Sequence, residues 1–367
     1  MNIVVLTSSR ADYGIYLPLL KKLESDTFFN LKIVAFGTHL SEKYGRTMDQ
    51  IVSDGFEIDT KIETLPEGDS PEDISNAMGI TIQKFSHFWA IEKKQIDLIL
   101  CLGDRSEMFA AISASIPFNI PVAHLHGGET TLGAIDNAMR HSITCMSKIH
   151  FTSTEKNARR VEQILNSKTG VYNVGALSLD NLKDIKLLNV AEFKEKFGIE
   201  VNNPVLVTFH PETVDYEKNE EYVNELITAL NKIDKQILIT MPNADTMGNF
   251  VRERMLSFAA NKDHVFTVES LGTQGYFSAI EHCEFMIGNS SSGIIEAASF
   301  GKYVINLGSR QEGREIGENV MHCSIKTEYI LDLIHQIKDR PRLNKENIYG
   351  DGNAADKVIE ILKKFLK

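Results

Sequence analysis

The feature that most constrains this chain is a repeated order, in which a short apolar run is followed by a longer amphipathic stretch. Strand-like runs stand at 2–7, 31–37, 96–103, 121–126, 148–153 and 170–174, with helical stretches at 15–25, 74–94, 106–115 and 154–166 between them. Short, wholly apolar runs suit strands buried on both faces, and the amphipathic segments supply the helices that cover them. Such an order builds a parallel sheet. After a polar connector the order restarts. Strands at 204–210, 235–241, 264–269, 284–288 and 302–308 alternate with helices near 217–233, 246–260, 273–282, 293–300 and 327–338. An amphipathic segment, 353–367, closes the chain.

At 367 residues one core is too small a description. The expected fold is α/β, with two Rossmann-like, doubly wound domains facing each other across a cleft. The boundaries are set at 1–178 and 179–352, with 353–367 as a C-terminal helix packing back on the N-terminal domain. Gly175 and Asn202-Asn203-Pro204 punctuate the connector. In doubly wound sheets ligands bind beyond the carboxyl ends of the strands, so function is sought in the loops there.

Composition narrows the partners. Fifty acids against 39 bases give a net charge of −11, which disfavours a nucleic-acid or anionic-membrane surface. No apolar run approaches the ~20 residues that span a bilayer. Met1–Thr7 reads as a first strand and not a signal peptide. Cys101, Cys145, Cys283 and Cys323 form no C-x-x-C pair, so neither a zinc site nor a disulfide framework is expected, and the setting is cytoplasmic.

Seven strand-end loops carry the polar groups. Ser8–Gly14 follows the first strand, and its Arg10 beside a helix start suits an anion or a solvated capping turn. Gly103-Asp104-Arg105 offers a carboxylate and a cation. Asp104 is either a helix N-cap or an acid–base group. His124-Leu125-His126-Gly127-Gly128-Glu129 puts two histidines on one strand face, yet nothing completes a metal-ligand set. If 135–147 is helical, Asp136 and Arg140 are one turn apart. They form an ordinary ion pair there or, with Asp104 and Glu129, part of a carboxylate cluster. In the second half, His210-Pro211-Glu212 and Pro242–Asp245 end strands. Gly288-Asn289-Ser290-Ser291-Ser292-Gly293 is a strand–turn–helix whose hydroxyls and N–H groups suit a diphosphate, with Glu296 one turn on for ribose hydroxyls. Arg310 and Arg314 follow the next strand. No G-x-G-x-x-G or Walker lysine is present, so dinucleotide and P-loop binding are unsupported.

The ordered set R-A-D-Y-G, G-D-R, H-L-H-G-G-E, I-D-N-A-M-R-H, H-P-E, G-N-S-S-S-G and I-N-L-G-S-R-Q-E-G-R-E resembles the UDP-N-acetylglucosamine 2-epimerases, specifically the hydrolysing type of sialic acid biosynthesis. The resemblance runs along essentially the whole chain. It implies the GT-B arrangement of two Rossmann-like domains. It also implies hydrolysis of UDP-N-acetylglucosamine to N-acetylmannosamine and UDP, through elimination to a 2-acetamidoglucal and then hydration. No cofactor and no metal are implied. The family's acid–base carboxylates match Asp104 and Asp136, with Glu129 as a neighbour. Where some members have a glutamate, this chain has His126, so either His126 or Glu129 takes that role, and Arg140 stands beside them. For UDP the matching positions are Arg10, Gly14, Arg105, His210, Asn243, Leu271, Ser290, Ser291, Glu296 and Arg310, to which proximity adds Arg314. Relatives acting on 2,4-diacetamido-2,4,6-trideoxy sugars leave the sugar open, and a GT-B glycosyltransferase is the competing reading. The partners expected are a UDP-sugar and a second copy in a homodimer or homotetramer, with no nucleic acid and no membrane.

Overall fold

A computed structural model describes residues 1–65, 68–243 and 245–366. The chain divides into two compact units. The first comprises Met1–Glu129, Asp136–Asp184 and Tyr349–Lys367, and the second Thr130–Ile135 and Ile185–Ile348.

Among the described residues the first unit holds a seven-stranded sheet. Its strands are β1 (Asn2–Thr7), β2 (Asn30–Phe36), β3 (Thr60–Ile62), β4 (Leu98–Leu102), β5 (Val122–Leu125), β6 (Ile149–Thr152) and β7 (Val171–Asn173). The order is β3-β2-β1-β4-β5-β6-β7, parallel throughout. Every residue of β4 and β5 is buried, as continuous apolar runs in a two-sided sheet require. One face packs Leu19, Leu20 and Leu23 of helix Arg10–Ser25, and the other packs Phe85 and Trp89 of helix Pro71–Glu92.

The last helix, Ala354–Phe365, belongs to this unit. Its Ala354, Ala355, Val358 and Leu362 lie in the same core, and its first two backbone N–H groups donate to the Asp180 carboxylate at 2.9 and 2.7 Å. Asp180 thus does for this helix what a capping side chain does locally, from 174 residues away.

The second unit repeats the plan with β8 (Val205–Thr208), β9 (Ile237–Thr240), β10 (Val265–Val268), β11 (Phe285–Gly288), β12 (Val304–Leu307) and β13 (Val320–Cys323), ordered β10-β9-β8-β11-β12-β13. In each sheet the order reverses beside the unit's first strand, between β1 and β4 and between β8 and β11. A doubly wound sheet opens a crevice at such a reversal.

Two strands went unread in the sequence, β3 and β13. Both are edge strands, short and only partly buried, so neither has the apolar run that marks a central strand. Helix Arg10–Ser25 starts five residues earlier than the periodicity suggests, with Ser9 as N-cap. Arg10–Gly14 is therefore the helix's opening turn and not a loop. The expected helix at 293–300 resolves into a single α turn, Ser291–Ile295, followed by a 3-10 turn, Ala297–Phe300.

Candidate active site

At the reversal of the first sheet, the ends of β1 and β4 present Ser8–Arg10 and Gly103–Arg105. Asp12 is buried in the opening turn of its helix and accepts from the Ser8 backbone N–H (3.0 Å) and hydroxyl (2.7 Å). Burial raises its pKa, against the opposing charge of Arg105. Arg105 itself donates to Glu107 at 3.2 Å. Gly14 lies inside the helix, and its carbonyl accepts from Asn181 Nδ2 at 2.8 Å.

His124, on β5, ties this turn to its neighbours. Its Nε2 donates to the Gly103 carbonyl (2.8 Å) and its Nδ1 lies 3.2 Å from the Thr144 hydroxyl. The ring is fully buried and its pKa is pushed down to about 3 by that burial, so it is neutral at pH 7. Both nitrogens are committed, and His124 is a brace.

Asp104 pairs with Arg140, whose guanidinium also donates to the Glu129 carbonyl at 2.9 Å. Arg140 is 2% exposed, and a guanidinium so deep is tolerable only when paired. The capping reading of Asp104 is overturned: helix Ser106–Ser115 has Arg105 at its cap position, with no side-chain cap bond. Asp136 opens helix Asp136–Met146, as the expected helix at 135–147 requires. Arg140, one turn on, directs its guanidinium to Asp104 and the Glu129 backbone.

Past β5 the chain turns sharply. His126 has φ +63° and Gly128 φ +80°, and a Cβ on Gly128 would meet the Asn157 carbonyl at 2.2 Å, so only glycine fits there. The turn brings Glu129 beneath His126. One oxygen of Glu129 accepts from the Ser153 hydroxyl (2.7 Å) and faces His126 Nδ1 at 3.0 Å, while Asn157 Nδ2 donates to Ser153 (3.0 Å). Ser153 and Asn157 were missed in the sequence. Ser153 directly follows β6, so the strand-end rule that found the other loops would have found it. Among the described residues no group of three or more His, Cys, Asp or Glu is placed to hold a metal.

Six residues, 130–135, then join the second unit. Leu132 and Gly133 donate through backbone N–H to the carbonyls of Glu312 and Ser309, and Ile135 N–H donates to the Thr213 hydroxyl.

At the reversal of the second sheet, Asn289 clasps the two strand ends. Its Oδ1 accepts from His210 N–H (2.7 Å) and its Nδ2 donates to the His210 carbonyl (2.8 Å). His210 Nδ1 in turn accepts from Asn243 N–H at 3.3 Å. Gly288 has φ +147° and lies against the Thr208 carbonyl, where a Cβ would approach to 1.9 Å. Ser290 caps the following turn through the Ser292 N–H (3.4 Å), and Ser291 is its first residue. With only one turn of helix behind it the macrodipole is small, so any anion here is held chiefly by the hydroxyls and turn N–H groups. Glu296 is buried where this turn ends. Leu271, also buried, precedes helix Gly272–His282.

The turn after β12 is filled from within. Glu212, 1% exposed, accepts from Ser309 N–H, the Ser309 hydroxyl (2.8 Å) and Arg310 N–H (3.2 Å). Arg310 donates to Asp245 (2.8 Å) and the Pro211 carbonyl. The cation expected for a phosphate thus already holds a carboxylate. Arg314 lies farther along the same turn. Ala244, within the strand-end motif 242–245, lies outside the described residues.

Comparison with known proteins bears on what these groups do. A family model described as UDP-N-acetylglucosamine 2-epimerase matches residues 21–363. A protein of Legionella pneumophila named UDP-N,N'-diacetylbacillosamine 2-epimerase (hydrolyzing) is 33% identical over 99% of this chain and 95% of its own. The polysialic acid biosynthesis protein P7 of Escherichia coli is 32% identical over all of this chain and 94% of its own. Among solved structures, the UDP-GlcNAc 2-epimerase of Neisseria meningitidis bound to UDP-GlcNAc superimposes with a TM-score of 0.83 at 20% identity, covering 99% of this chain and 100% of that one. That likeness carries the fold: two doubly wound α/β units.

Proposed function

Because the chain belongs to the UDP-N-acetylglucosamine 2-epimerase family, an enzyme family of UDP-sugar 2-epimerases, we propose that it hydrolyses UDP-N-acetylglucosamine to UDP and N-acetylmannosamine. The observation that carries the reading is the cluster at the ends of β4 and β5, where the half-buried Asp104 meets the buried Arg140, Glu129 and His126. The proton on C2 of the sugar is weakly acidic, and removing it needs a positioned base together with a stabilised leaving group. The cluster, with Asp136, supplies acid–base groups. The nucleotide contacts we assign to Arg10, Gly14 and Arg105 of the first unit and to His210, Asn243, Leu271, Ser290, Ser291, Glu296, Arg310 and Arg314 of the second.

In the reaction the C2 proton leaves, the C1–O bond breaks and UDP departs with the bonding pair. Water then adds across the resulting double bond, a proton to C2 on the opposite face and hydroxyl to C1. The reading includes a cytoplasmic homodimer or homotetramer without a cofactor, and sedimentation of the purified protein tests the assembly.

A second reading concerns the sugar. The name of the Legionella relative specifies UDP-N,N'-diacetylbacillosamine, which favours a 2,4-diacetamido-2,4,6-trideoxy substrate for the same chemistry. The protein is incubated in deuterated water with each nucleotide sugar and no acceptor, and the products are followed by NMR. Stoichiometric UDP and a free manno-configured sugar carrying deuterium at C2 are expected, and the larger kcat/KM identifies the substrate. Release of a sugar with its C2 configuration and hydrogen retained would defeat the epimerase reading.

A further inference from the structure

Sequence reasoning leaves open whether His126 or Glu129 handles the proton. We propose that Nε2 of His126 is the atom that takes the C2 proton, and that Glu129 is a positioning residue that orients the ring. This rests on the epimerase reading above.

Three observations carry the division. First, an ionised carboxylate only accepts, so the 3.0 Å contact from Glu129 Oε1 places the ring hydrogen on Nδ1 of His126. With its hydrogen so placed, the ring turns the Nε2 lone pair outward as an acceptor. Second, Nε2 is buried in a residue only 6% exposed and has no hydrogen-bond partner. A buried polar atom left unsatisfied costs about 1–3 kcal/mol, so an orphan beside a charged cluster marks a place where something else binds. Third, His126 sits at φ +63°, a left-handed conformation unfavourable for a side chain, held by its N–H bond to the Phe151 carbonyl (2.8 Å). Strain of this kind persists where the surrounding structure overdetermines it, and it clusters at functional positions.

Glu129 stands differently. Its Oε1 receives both the Ser153 hydroxyl and His126 Nδ1, an arrangement that fixes a ring and its tautomer. The other buried histidines contrast with His126. His124 has both nitrogens engaged. His150 also has an unpartnered Nδ1, but it is the second residue of β6, toward the amino end of the strand. His126 follows the carboxyl end of β5, where doubly wound sheets bind ligands.

In the proposed step the C2–H bond breaks and its proton passes to Nε2. The C–H pair forms the C1–C2 double bond, and the C1–O pair leaves with UDP. The imidazolium later releases its proton to solvent.

The test uses His126→Gly, because glycine suits φ +63° and leaves a ring-sized hole, alongside Glu129→Gln and Glu129→Ala. The expected results are a fall in kcat of about 10²–10⁴-fold for His126→Gly, with partial rescue by added imidazole, while the product still formed carries deuterium at C2. Glu129→Gln, whose amide oxygen still accepts from Nδ1, retains kcat within about tenfold. Glu129→Ala falls well below it and shifts the acid limb of the pH–kcat profile. Circular dichroism melting confirms that each variant folds. Equal, imidazole-insensitive losses for Glu129→Gln and Glu129→Ala, or a His126→Gly variant that turns over at the wild-type rate, overturn the assignment while leaving the epimerase reading standing. A wild type that releases no UDP from either sugar overturns both.

Discussion

The two strand-order reversals are built on the same plan and equipped differently. In the first unit the polar groups are charged and aromatic side chains bound to one another: the half-buried Asp104 to the buried Arg140, and Glu129 to His126 and Ser153 in the interior. In the second, the strand ends are clasped by Asn289 and lead into a turn of three serines. A buried network of ionisable groups stores proton-transfer capacity and tolerates little change, whereas a turn of hydroxyls and backbone N–H groups stores binding capacity. Under the proposed function, the acid–base groups follow the strands of the first sheet and the serine turn for the diphosphate follows a strand of the second.

Substitutions on the two sides sharpen or break that contrast. The largest effect is expected for Asp104→Asn. It should lower kcat by about 10²–10⁴-fold while UDP affinity, measured by calorimetry, stays within about threefold. A matching loss of UDP affinity would place Asp104 on the recognition side. Next comes Gly288→Ala, whose new Cβ meets the Thr208 carbonyl. The clash should destabilise the second unit by about 2–4 kcal/mol in urea unfolding and abolish UDP binding. Ser290→Ala removes the cap of a short turn, costs about 1 kcal/mol of stability and weakens UDP binding about tenfold with kcat little altered. A fall in kcat with unchanged affinity would erase the distinction between the units.

The last expected effect is a dependence on acid. His39, His124 and His150 are buried in the first unit, and burial pushes their pKa values down to about 3, 3 and 4. Unfolded, each takes a proton near pH 6.5. Below that pH the unfolded chain binds more protons than the folded one, so stability is full above about pH 6.5 and is lost as pH falls toward 4. Each histidine contributes a slope of up to about 1.4 kcal/mol per pH unit, and melting between pH 7 and 4.5 measures it. His150→Leu should flatten the slope. An unchanged slope would show that His150 does not titrate on unfolding.

The central strands were legible because parallel strands covered on both faces are apolar runs with no other reading. The edge strands β3 and β13 were not, since partial exposure erases the run. At the site, spacing singles out Asp104, Glu129 and Asp136 as candidates but does not show their distant partners. Asp104 reads equally as a cap or an acid–base group, and its bond to Arg140 is not visible, because sequence shows neighbours within a helix and hides those brought by a sheet. The Asp104–Arg140 pair spans 36 residues and the Glu212–Ser309 bond 97. Arg310 reads as a cation for a phosphate, and its bond to Asp245, 65 positions away, is hidden for the same reason.

The C-terminal helix has a consequence for biosynthesis. Asp180 and the β1–β7 core require Ala354, Ala355, Val358 and Leu362, which leave the ribosome only after every strand of the second unit has been made. The half of the enzyme translated first is thus completed last. Until then it exposes an apolar groove that a nascent-chain chaperone can cover.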